Sequence, residues 1–184
     1  MTSTTPPFEL LGERVHALLR TLPDHEAITD TLDYVMGALH GLVRAANVGF
    51  ADRPGGFASE YRPFLTEYVL QIAAHRPINT LWLAGFYFNS AIQRIAASFD
   101  RIPKLLGVPD KGDAHKRMAL VNADDYKDWS DVYLEVNALK HDPEGKAKGR
   151  QVTMEVALRA MDQLIRFLET KIPELTARYP LPPR

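Results

Sequence analysis

The sequence contains no cysteine. That absence excludes a disulfide framework, a thiol nucleophile and any thiolate metal site. Net charge is also nearly missing, at -1 for 184 residues, so no global positive field draws phosphates in and a nucleic-acid ligand would need a local patch. The apolar run Leu81 to Phe88 is far short of the roughly 20 residues a membrane span needs. The N-terminal MTSTTPPFELLGE has no basic region leading into an apolar run, and no secretory signal is expected. The reading is a soluble, cytoplasmic chain with no membrane partner and no DNA-binding motif, long enough to bury one core.

Several chemical motifs are absent too. Gly55 and Gly56 lack the Lys and Ser or Thr that complete a phosphate loop. No serine stands in a nucleophile elbow. His-x-x-His spacings do not occur, and Glu-x-x-His occurs once, at Glu13 to His16. A helical di-iron site needs two such pairs and two more carboxylates, so neither a metal nor another cofactor is expected.

What remains is helical periodicity. Apolar residues at 8, 11, 15, 18 and 22 give a first helix between Pro7 and Pro23. Asp24 is a candidate cap for a second, striped by Ile28, Leu32, Val35, Leu39, Leu42 and Ala46. Ser59 would cap a third, with Tyr61, Leu65, Tyr68 and Ile72 inward. Asn79 would cap a long central helix striped by Leu81, Gly85, Phe88, Ile92, Ile95, Phe99 and Ile102, with Pro103 expected to stop it. A short helix fits near Ala114 to Val121. Asp124 or Asp125 would cap the next, whose stripe is Trp129, Val132, Val136 and Leu139; the last runs from about Gln151 to Ile172, ended by Pro173. No period-two segment competes. The expected fold is all-α, an up-and-down bundle of five main helices plus one or two short ones. It forms a single domain over 1–184, with 1–22 as an N-terminal helical arm and 173–184 as a Pro-rich tail.

Polar side chains concentrate on one shoulder of the 124–141 helix. At about 100° per residue, Tyr133 and Lys140 flank its apolar stripe, and Asn137 and His141 lie further round. Beyond it the loop carries Lys146, Lys148 and Arg150. A near-neutral His can move a proton, an Asn can orient a ligand, and lysines can neutralise phosphate. The alternative is that His141 simply favours the negative end of a helix dipole. Asn89 on the central helix is expensive to bury alone, which points to a partner among Tyr133, Asn137 and His141. Arg94 lies about 140° from Asn89 round the axis.

FYFNSAIQRIAASFDRI at 86–102, then VYLEVNALKHD at 132–142, a loop and a closing apolar helix resemble the HEPN superfamily of small helical bundles. The resemblance covers about the last 105 residues. It implies dimers and, in many members, metal-independent ribonucleases whose Arg, separated from a His by four to six intervening residues and often followed by Asn, holds the scissile phosphate while the His transfers protons. Asn137, Lys140 and His141 match that pattern; the positions for the Arg hold Leu134, Glu135 and Val136. The resemblance therefore implies a non-catalytic or weakly active bundle that binds RNA, a nucleotide or another phosphate ligand. The ligand-binding residues would be Asn89, Tyr133, Asn137, Lys140, Lys146, Lys148 and Arg150. One alternative is a metal-independent endoribonuclease with His141 as acid or base and Arg94 as phosphate clamp; another is an interaction bundle, a homodimer with no ligand.

Overall fold

The computed structural model describes residues 8–49, 80–107, 127–141 and 152–180, with side chains described over 8–46, 86–107, 127–137 and 152–180. Among the described residues there are five helices and no strand: α1 (Phe8–Thr21), α2 (Glu26–Gly49), α3 (Thr80–Leu105), α4 (Lys127–His141) and α5 (Met154–Arg178). The fold is an all-α helical bundle. The helix expected over 59–72, the short one near 114–121 and the caps at Asn79, Asp124 and Asp125 fall outside the described residues.

The stripes read from the sequence become one core. Val35, Leu42, Ile95, Phe99, Trp129, Val132, Met161 and Leu164 are each 1 % exposed or less. The most extensive pair is α2 with α3, while α4 packs on α3 and α5. Two residues of α2 without side chains make the first pair close. A Cβ on Gly41 would stand 3.0 Å from Ala91 Cβ and 3.2 Å from the Tyr87 carbonyl oxygen. One on Gly37 would meet the Arg94 side chain first.

The first helix is no arm. Its Leu11, Val15 and Leu18 are buried, and Arg14 clamps it to α5. Arg14 Nε and Nη2 donate to the two carboxylate oxygens of Glu169 at 2.9 and 2.7 Å, and Nη1 donates to Asp162. A two-pronged guanidinium–carboxylate pair holds its geometry better than a single-point surface ion pair. Its hydrogen bonds to Glu169, above all, raise the Arg14 pKa further.

Helix boundaries depart from expectation in four places. α2 begins at Glu26, one residue after His25, whose Nδ1 accepts from the Ala27 N–H at 3.2 Å and whose carbonyl accepts from Ile28. His25 therefore caps this helix, and Asp24 does not. α5 begins at Met154 rather than Gln151, because Thr153 Oγ1 accepts from Val156 N as an N-cap.

The other two departures are prolines that end nothing: α3 runs through Pro103 and α5 through Pro173. Each proline removes one donor near the end of a helix, and tertiary contacts outweigh that loss. Leu175 is fully buried beyond Pro173, Tyr179 Oη donates to the Leu105 carbonyl at 2.9 Å, and Arg178 Nη1 donates to that of Leu106 at 3.2 Å. Side chains at the end of α5 thus satisfy carbonyls left over at the end of α3. The stretch 173–178, expected as tail, belongs to the bundle. α3 stops instead just before Gly107, which sits in the left-handed region at φ 75°.

Candidate functional site

The polar shoulder rests on how α4 is anchored. Trp129 sends its indole N–H to the Ile95 carbonyl at 3.1 Å, and its ring lies edge-on to Phe99 with centroids 4.8 Å apart. The Trp129 backbone N–H, one of the orphan donors of a helix's first turn, reaches Gln163 Oε1 of α5 at 3.1 Å. Gln163 Nε2 donates to Asp128 at 2.9 Å, and Arg159 donates to both oxygens of that carboxylate at 3.2 Å. Asp128 is also an acid in the first turn, favoured there by the helix dipole. A side chain of one helix caps another.

From that anchor the expected stripe follows. Trp129, Val132 and Val136 are buried, while Tyr133 and Asn137 are partly exposed. Tyr133 is stacked on Phe99, centroids 4.6 Å apart and planes 21° apart, so its ring is fixed by the core. The backbone is helical through Lys140 and His141, whose side chains lie outside the described residues, as do Lys146, Lys148 and Arg150. Glu135, at one of the positions where the resemblance expects Arg, has an Oε2 that is buried without a hydrogen-bond partner among the described residues. A carboxylate has the wrong sign of charge to hold a phosphate.

The structure takes Arg94 elsewhere. Its guanidinium carbon is 5.6 Å from the centre of the Tyr34 ring, and the side chain lies over Gly37, both on α2. Five residues separate Arg94 from Phe99, about 140° round α3. Arg94 therefore lies on a different flank of α3 from the one that Tyr133 of α4 packs against. Asn89, expected to be buried with a partner, is exposed. It lies about 80° round α3 from Phe99, in a turn whose Phe86 is itself 56 % exposed.

One feature that sequence reasoning passed over is the α2–α3 flank. Tyr87, Arg94 and Arg101 recur every seven residues, close to two full turns, and so share a face of α3. Arg101 lies over Tyr34 at 3.8 Å, and Arg44 of α2 stands 5.5 Å from the Tyr87 ring centre. The seven-residue spacing was the available signal.

His40 borders that flank and accepts a hydrogen bond from Arg44 Nε at 3.2 Å through its Nε2. Partial burial lowers its pKa from 6.5, and the positive Arg44 lowers it further. Because the folded state then binds its proton less readily than the unfolded state, His40 favours folding above that unfolded value and opposes it as pH falls below. Urea unfolding from about pH 7.5 down to about 5 should show a small loss of stability that His40→Gln removes; an identical profile in the variant would refute this.

Among the described residues, no group of His, Asp or Glu is placed to hold a metal ion, and no helix is long and apolar enough to cross a membrane. Comparison with family models, with curated proteins and with solved structures returns no match to the chain. The class defined by the fold is an all-α bundle.

Proposed function

We propose that the chain is a non-catalytic HEPN-like bundle that binds RNA, or another phosphate-bearing ligand, at the C-terminal end of α4 and the loop after it. The carrying observation is the division of α4: a buried stripe fixed at Trp129, and a partly exposed shoulder at Tyr133 and Asn137 that leads on to Lys140 and His141. Binding is favoured over cleavage by the position of Arg94. A fixed bidentate donor for transition-state charge is what the resemblance requires, and Arg94 is packed on Tyr34 of α2 instead.

Filter binding of RNA to the wild type and to a Lys140→Ala, Lys146→Ala, Lys148→Ala variant tests the reading. Removing three phosphate contacts should weaken binding by about tenfold or more at low salt. RNA should survive incubation with the wild type in EDTA, and His141→Ala should leave that result unchanged. Equal, negligible binding by both proteins would overturn the proposal, and metal-free cleavage lost in His141→Ala would replace it with the ribonuclease reading.

A further inference from the structure

We infer that the α2–α3 flank carrying Arg94 and Arg101 is a second binding surface, one that tracks the backbone of a single-stranded nucleic acid. The inference shares the ligand class of the preceding proposal but neither its residues nor its place on the molecule. Three observations carry it.

The first is alignment. Tyr87, Arg94 and Arg101 follow one line down α3, about 21 Å long at 1.5 Å per residue. Arg44 stands against Tyr87 at one end of this line, and Tyr34 lies between Arg94 and Arg101 towards the other. Cations and aromatic rings alternate along the line where α2 meets α3, as in surfaces that bind single strands without reading sequence.

The second is orientation. Arg101 is 3.8 Å from the Tyr34 ring centre and Arg94 is 5.6 Å from it, so both guanidinium groups are steadied by one tyrosine. A planar guanidinium that uses its inner face this way keeps edge donors for phosphate and an outer face for a base. Asp30 comes no nearer to Arg101 than 3.9 Å, too far for a hydrogen bond; Asp30 is exposed and Arg101 half-buried. Such a pair is weak and yields to a phosphate. Arg94 can lie against α2 because Gly37 beneath it has no side chain; a Cβ there would be 2.5 Å from Nη1.

The third is a cavity of about 210 Å³ at the Arg101 end, lined by Asp30, Thr31, Arg101, Lys104 and Tyr179 among others. Cavities that enclose a whole small-molecule ligand run to roughly 300 Å³ or more. This one has room for a single phosphate or sugar of a longer ligand that continues along the α2–α3 flank. A duplex is disfavoured, because the net charge of -1 supplies no wider field to hold paired backbones.

Fluorescence anisotropy with labelled oligouridine RNA and oligothymidine DNA of about fifteen nucleotides, between about 50 and 200 mM salt, tests the inference. Arg94→Gln with Arg101→Gln should weaken binding about tenfold and lower the salt slope by about 1.4, two contacts at roughly 0.7 each. Gly37→Ala keeps every charge and should weaken binding about threefold by displacing Arg94; its contacts under 3.0 Å are to the guanidinium end of a flexible side chain, and melting no lower than that of wild type would confirm intact folding. The Lys140, Lys146, Lys148 variant measured in parallel separates the two proposals. If it loses binding while the Gln pair stays within about twofold of wild type, the flank is overturned and the α4 site stands; the converse result establishes the flank alone. No binding of either probe by wild type overturns this inference. Equal loss with RNA and DNA assigns recognition to the phosphate backbone, whereas loss with RNA alone adds the 2′-hydroxyl to what the surface reads.

Discussion

Trp129→Ala should lower stability by about 3–5 kcal/mol, the usual range for removing a fully enclosed large aromatic. The residue is 0 % exposed, lies edge-on to Phe99, and has Phe167 of α5 at 6.1 Å. It joins three helices at one point. Most of the loss is a cavity, since the Ile95 carbonyl that accepts the indole N–H also accepts from Ser98 Oγ at 2.5 Å and is not left unpaired. Trp129→Phe, which keeps much of the volume and gives up the hydrogen bond, should therefore lose only about 1–2 kcal/mol. Urea unfolding measures both. A loss under about 1 kcal/mol for the alanine variant would mean that α4 is not anchored through this ring.

Gly41→Val should lower stability by about 2–3 kcal/mol, the upper part of the range for overpacking. Its Cβ would already stand 3.0 Å from Ala91 Cβ and 3.2 Å from the Tyr87 carbonyl oxygen, and neither can yield without moving α3. The two further methyl groups of valine would part the most extensive helix pair in the bundle. Helix propensity works the other way, since a mid-helix glycine is about 1 kcal/mol worse than alanine, but valine recovers only part of that. Gly12 is the control. Nothing lies within 4 Å of a Cβ built there, so Gly12→Ala should raise stability by up to about 1 kcal/mol. Thermal melting should move in opposite directions for the two variants. A stabilised Gly41→Val would show that the helices are not in close contact at this point.

The helical stripes were legible because period is a local property. Ile28 to Ala46, Ile92 to Ile102 and Trp129 to Val136 repeat every three or four residues, and a buried face must obey that spacing wherever it packs. Prolines were read by the same local rule and gave wrong endings at Pro103 and Pro173. Their effect is a single missing donor, and the competing contacts of Leu175, Arg178 and Tyr179 come from distant parts of the chain. Likewise, nothing near Asp24 or His25 in the sequence says which of them turns its side chain back to the helix.

The candidate site divides in the same way. Spacing placed Tyr133 and Asn137 beside the buried stripe of α4, and both are partly exposed there. Spacing also placed Arg94 about 140° from Asn89, but the buried partner expected for Asn89 among Tyr133, Asn137 and His141 does not hold, since Asn89 is exposed. The partners of Arg94 are Tyr34 and Gly37, on a helix far earlier in the chain, and only the packing of α2 on α3 brings them together.

By itself, then, the sequence determined the helical class, the faces turned to the core, and the thiol chemistry that the missing cysteines exclude. Tertiary structure decided where helices end, that Gln163 caps α4, that α1 is clamped by Arg14, and which flank Arg94 joins. The reason is range. Periodicity and propensity act over a few residues, whereas a cap, an ion pair or a cation on a ring depends on side chains whose nearness is a consequence of the fold.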